Sequence, residues 1–114
     1  MATQQYYLAL DLIEDESLIA EYKAHHQKVW PEIIQSIKDA GIHLLNIYCV
    51  GNRLMMIIEA DETFSFEKKS AMDAYNEKVQ EWEELMWKFQ QALPWAKPGE
   101  KWILMEKIFE LPCE

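Results

Sequence analysis

Residues 44–60 constrain the fold more than any other part of this chain. Two β-rich runs, Leu44 to Val50 and Arg53 to Ala60, flank the dipeptide Gly51-Asn52, and a two-residue insert of this kind between such runs signals a tight hairpin. With those two residues as the loop, Val50 pairs with Arg53 and Tyr48 with Met55. Side chains alternate across a strand, so Leu45, Ile47, Cys49, Leu54, Met56 and Ile58 share one face. Asn46, Tyr48, Val50, Met55 and Ile57 share the other. Both faces are largely apolar, and a single layer of helices covers only one of them.

The flanking sequence supplies that layer. Tyr6 to Ile13 alternates apolar positions and reads as a first strand. Asp15 can cap a helix beginning at Glu16 or Ser17, on which Leu18, Tyr22 and His26 recur at i, i+4 and share a face. Pro31 disfavours helix at Trp30 and suits a first helical turn, so the chain bends there and restarts. The second helix turns Ile33, Ile34 and Ile37 inward and stops at Gly41. Asp61 to Asn76 reads as a loop and short helix, and Glu77 to Leu93 as a helix through Val79, Trp82, Leu85, Met86 and Phe89, ended by Pro94. Trp95 to Glu100 is turn-rich, and Lys101 to Leu111 reads as a final strand.

This order of strand, helices, two strands, helix and strand matches a ferredoxin-like α+β sandwich. Its helices leave the second apolar sheet face bare, and a second copy of the chain is the expected cover, which makes a homodimer. A length of 114 residues, half of them hydrophobic, suits one domain spanning 1–114.

The formal charge of -9, with Arg53 the only arginine, argues against nucleic acid and anionic membranes as partners. Met1 to Gln5 is polar and lacks a basic start followed by an apolar core, and no run of 18 apolar residues occurs. A cytoplasmic location is expected. Cys49 and Cys113 are the only cysteines and fit neither a disulfide framework nor a CxxC metal pair.

With no phosphate-cradling glycine loop, GxSxG or HExxH, the chemistry falls to Glu21 to Glu32, EYKAHHQKVWPE. Histidine suits proton transfer near neutrality because its unperturbed pKa lies near 6.5. Tyr22 and Trp30 could offer a sugar a hydroxyl and a flat apolar wall. Spacing alone equally describes two core aromatics and a satisfied histidine, which is the commoner outcome. His25 points about 100° away from His26 on a helix and reads as solvated, and His43 lies in another segment, so no zinc site is expected. Trp82 with Glu83 and Glu84 forms a second cluster, in which Glu83 could accept a hydroxyl or simply lie on a wet helix face.

The segment EYKAHHQKVWPE resembles the characteristic segment of the L-rhamnose mutarotase family. Gly41 with His43, the strand ending in Ile47-Tyr48, and VQEW at Val79 to Trp82 resemble that family in order and spacing, and the likeness covers nearly the whole chain. It implies a ferredoxin-like fold paired into a dimeric α+β barrel that interconverts the α and β anomers of a 6-deoxyhexose without cofactor or metal. L-rhamnose is then the first expectation for the sugar and L-fucose the second. The resemblance places the proton donor on His26, a substrate-binding tyrosine on Tyr22, and the first of a substrate-binding Trp-Trp pair on Trp82.

Two positions depart from the family pattern. The second Trp of the pair is Glu83, and a substrate-binding tyrosine on the second strand is Leu45. The residues of Met86 to Trp102 resemble a subgroup associated with L-fucose. Two rivals share the fold-level expectation: a haem-degrading or quinol-forming monooxygenase on the same dimeric barrel, and a non-catalytic dimeric binding module.

Overall fold

A computed structural model describes residues 3 to 111; Cys113 and Met1 of the N-terminal stretch lie outside them. Strand β1 (Gln4–Leu12) leads to helix α1 (Glu16–His25), whose N-terminus is capped by the Asp15 carboxylate accepting from Leu18 N–H at 3.0 Å. Helix α2 (Pro31–Asp39) starts at the expected proline. The chain then turns at Gly41, with a φ of +95°, into β2 (Ile42–Val50) and β3 (Arg53–Ala60). Helices α3 (Phe66–Ala74) and α4 (Glu77–Trp87) follow, and two short strands, β4 (Gln90–Gln91) and β5 (Ile103–Leu104), complete the sheet.

The strands run antiparallel in the order β2-β3-β1-β4, with β5 also on β1. The hairpin register is the one its turn dictates, Val50 opposite Arg53 and Tyr48 opposite Met55. Leu12 and Leu54 are buried in one cluster with Tyr22, Ile33, Trp82, Met86 and Phe89, and Leu8, Ile58 and Ala60 in a second with Ala40, Ile42 and Phe64. This is a ferredoxin-like sandwich, with the helix layer on the sheet face that carries Leu45 and Ile47.

Several expectations need correction. Ile34 is 44 % exposed: the inward line of α2 runs through Ile33, Ser36 and Ile37, and Ile34 sits about 100° round from Ile33. Cys49 falls on the helix-facing side by register but is exposed at the strand end. Helix α4 stops at Trp87, six residues before Leu93, because the following backbone pairs with β1, Gln90 opposite Leu12. That pairing is a tertiary demand invisible to helical periodicity.

The final strand is also shorter than the run Lys101 to Leu111. Only Ile103–Leu104 pair with β1, extended by Met105 N–H donating to Tyr7 C=O at 2.7 Å. Ile108, Phe109 and Leu111 beyond it are 89, 72 and 79 % exposed.

Candidate functional site

Between α1, α4 and the sheet lies a cleft of about 840 Å³. Tyr22, His26, Leu45, Trp82 and Glu83 line it, so five of the six residues singled out by sequence share one cavity. Trp30, the sixth, stands behind Trp82, its ring edge-on at 5.1 Å. It holds the α2 start position, N-terminal to Pro31, and props the Trp82 indole rather than facing the cleft. Leu45 and His26 also border a second groove of about 700 Å³ along β2.

His26 sits where α1 ends, and this location determines its chemistry. Its backbone N–H still closes the last turn, while its Nδ1 lies 2.8 Å from the Tyr22 carbonyl oxygen. A carbonyl only accepts, so Nδ1 carries the hydrogen and Nε2 is left with its lone pair in the neutral ring. Burial lowers the imidazole pKa from its ordinary value, the Tyr22 carbonyl opposes that, and neighbouring His25 adds to the lowering. The neutral form therefore prevails at physiological pH. The ring is fixed sideways by Tyr22 at 4.5 Å and by the edge of Trp82 at 5.7 Å between centroids.

Tyr22 is 3 % exposed. Burial pushes its phenol up to about 12, with the Glu83 and Cys49 charges adding and the Gln90 hydrogen bond opposing. It is a hydroxyl, never a phenolate, near neutrality. The Gln90 Nε2 amide donates to its oxygen at 3.2 Å, which leaves the phenolic hydrogen free to donate onward.

At the other side of the cleft, Glu83 is held by Lys101, Nζ to Oε1 at 2.6 Å. The Lys101 side chain is 14 % exposed and lies over Trp87 at 5.1 Å, so the ammonium is shielded by carbon while its charge is met by Glu83. Glu83 is thus an ion-paired, half-exposed carboxylate rather than a bare acceptor, whereas Glu84 is exposed. His25, expected in solvent, packs against Phe89 at 5.4 Å.

Among the cleft residues not singled out in the sequence are Gln90, Lys101 and Trp102. Nothing local marks Gln90, since its place depends on β4 joining β1. Lys101 and Trp102 open the run read as a strand, and the reversal after Pro94 that returns them to α4 has no periodic signature. Among the described residues no group of three or more His, Cys, Asp or Glu is arranged to hold a metal ion, and no helix is long and apolar enough to cross a membrane.

A ferredoxin-like sheet with a histidine, a tyrosine and a tryptophan gathered under its helices defines a class of small α+β proteins. Comparison places this chain within it: residues 5–111 match the L-rhamnose mutarotase family model, and the chain belongs to that family, whose enzymes are sugar isomerases. An L-fucose mutarotase of Xanthomonas campestris pv. campestris is 43 % identical over 113 residues, 97 % of this chain and 90 % of its own length. A crystal structure of an L-rhamnose mutarotase from Formosa agariphila matches with a TM-score of 0.69 at 24 % identity, covering 95 % of this chain and 98 % of that one. A dimeric ferredoxin-like protein from an uncultured marine organism shares the fold, with a TM-score of 0.55 at 16 % identity over 96 % and 93 % of the two chains.

Proposed function

We propose that this protein interconverts the α and β anomers of an L-6-deoxyhexose, with L-fucose preferred to L-rhamnose, as a cytoplasmic homodimer in which His26 carries the proton. The observation that supports the chemistry is the 2.8 Å approach of His26 Nδ1 to the Tyr22 carbonyl, which leaves Nε2 unprotonated on a residue that lines the cleft.

Mutarotation breaks and remakes the bond from C1 to the ring oxygen. The anomeric hydroxyl gives its proton to His26 Nε2, the C1–O bond of the ring opens as the C1 aldehyde forms, and the imidazolium then donates that proton to the released ring oxygen. Rotation about C1–C2 and the same steps in reverse close the other anomer. Both oxygens are bonded to C1, so one imidazole can serve each in turn. His26 is thus a proton donor, as the resemblance implies, but only after it has been the acceptor. Tyr22, neutral and with its hydrogen free, donates to a sugar oxygen and holds the ring in place. A general acid–base group contributes roughly 10² to 10⁴-fold, enough for a reaction that already proceeds in water.

The preference for L-fucose draws on the 43 % identity to a protein of that activity and on the Glu83–Lys101 pair. The two sugars differ in the orientation of the hydroxyls at C2 and C4. A carboxylate and an ammonium can distinguish hydroxyl orientations through hydrogen bonds, whereas a second tryptophan would offer only a flat face.

The dimer is favoured by the sheet face opposite the helices, where Tyr7, Tyr48 and Val50 are 38, 55 and 77 % exposed, and by the apolar segment that ends at Leu111. A second copy covers both at once. Saturation-transfer NMR on the anomeric protons of each sugar tests the activity: faster exchange with catalytic protein supports the reading, and unchanged exchange with both sugars refutes it.

A further inference from the structure

We infer that Gln90 reads the substrate: its side-chain carbonyl oxygen accepts a hydroxyl of the bound sugar while its amide holds Tyr22. The inference rests on the mutarotase reading and adds to the site a residue from outside the two sequence clusters.

Gln90 is in β4 opposite Leu12, a residue of the core beneath the helices, which aims its side chain to the helix side of the sheet and into the cleft wall. The residue is 5 % exposed. Its two polar ends are treated unequally. Nε2 donates to the Tyr22 hydroxyl at 3.2 Å, whereas Oε1 is buried with no donor, the one side-chain atom so placed among the described residues.

A carbonyl buried without a donor is a standing cost, because it has given up its water hydrogen bonds and gained none. If the position served only packing, methionine or leucine would fill it without that cost. If it served only to orient Tyr22, the second end of the amide could have been left at the surface. A buried acceptor on a residue that lines a cleft, next to a tyrosine whose own hydrogen is free, instead fits a hydroxyl-bearing ligand that reaches it by a small shift of the amide. The sugar supplies the missing donor at Oε1 and an acceptor for Tyr22. Sites built to hydrogen-bond a hydroxyl discriminate strongly against analogues that lack it, because the protein group is then left unpaired.

The test compares the wild type with Gln90→Met, close in size but without the amide, and with Gln90→Glu, which keeps a carbonyl oxygen in place. For the better of the two sugars, Gln90→Met is expected to raise KM about tenfold with kcat little changed, and its thermal midpoint is expected to hold or rise because the orphan carbonyl is gone. Gln90→Glu, which keeps an acceptor but loses the amide that holds Tyr22, should recover only part of the KM. A monodeoxy analogue lacking the hydroxyl in question should bind the wild type about tenfold more weakly than the parent sugar but bind Gln90→Met no more weakly than the parent does. An active wild type whose Gln90→Met variant keeps its KM and loses thermal stability would make Gln90 a prop for Tyr22 and overturn this inference alone. A wild type that accelerates neither sugar would overturn the mutarotase reading, and this one with it.

Discussion

His26 Nδ1 lies 2.8 Å from the carbonyl oxygen of Tyr22, one helical turn earlier on α1, so the residue that buries its hydroxyl in the site also fixes the tautomer of the histidine beside it. The two side chains are coupled through a backbone atom that no side-chain substitution at Tyr22 removes. Changing Tyr22 therefore disturbs binding and removes the ring beside the imidazole, but leaves the tautomer of His26 unchanged.

That coupling gives a pH dependence with a definite sign. Burial lowers the His26 pKa, and the mechanism starts from the neutral ring. After subtraction of the spontaneous reaction, kcat/KM should stay level from neutrality into the range where free imidazole protonates. It should fall only as pH drops through the lowered value. A rate that climbs as pH falls would mean that the imidazolium is the starting form.

The Glu83–Lys101 pair predicts a change of preference. Glu83→Trp supplies the second aromatic of the family pattern and removes the carboxylate, so the ratio of kcat/KM for L-fucose to that for L-rhamnose should fall. A hydrogen bond to a charged group is worth about 1.5–3 kcal/mol, and Glu83 is 44 % exposed, so solvent screening brings the expected shift to roughly tenfold or less. Competition assays with both sugars measure it. An unchanged ratio would remove Glu83 from specificity.

Gly41 predicts a stability effect away from the chemistry. Its φ is +95°, and a Cβ there would lie 2.6 Å from Asp61 Oδ1. Gly41→Ala should therefore lose about 1–2 kcal/mol from the left-handed backbone alone, with more from the clash. Denaturant titration should show the loss, with kcat per folded molecule unaltered.

The outer sheet face predicts an assembly effect. Charges at Tyr48 and Val50, as in the double variant Tyr48→Lys/Val50→Lys, should halve the mass seen in sedimentation equilibrium from twice that of the chain. A wild type that sediments as one chain would contradict the homodimer.

Much of this architecture is written locally. Asp15, Pro31, Gly41 and Gly51-Asn52 each act within a few residues, and the structure places a cap, a helix start, a left-handed turn and a hairpin at those points. Element ends decided by distant partners were not legible. Residues 88–91 continue a helical pattern, but Phe89 closes onto Tyr22 and Gln90 pairs with Leu12, so the edge of β1 overrides the period. The site shows the same division. Tyr22 and His26 share a face through i, i+4 spacing, whereas Gln90 and Lys101 arrive through pairing and a chain reversal. The partner of Glu83 lies 18 residues away, which is why its state could not be read from its helix.

Saturation-transfer NMR of L-fucose and L-rhamnose, with wild-type protein and with His26→Ala at equal concentration, tests the central claim most directly. The wild type is predicted to accelerate anomer exchange, faster with L-fucose, and His26→Ala to lose roughly 10² to 10⁴-fold of that acceleration while remaining folded. A folded His26→Ala protein that exchanges anomers at the wild-type rate would contradict the account.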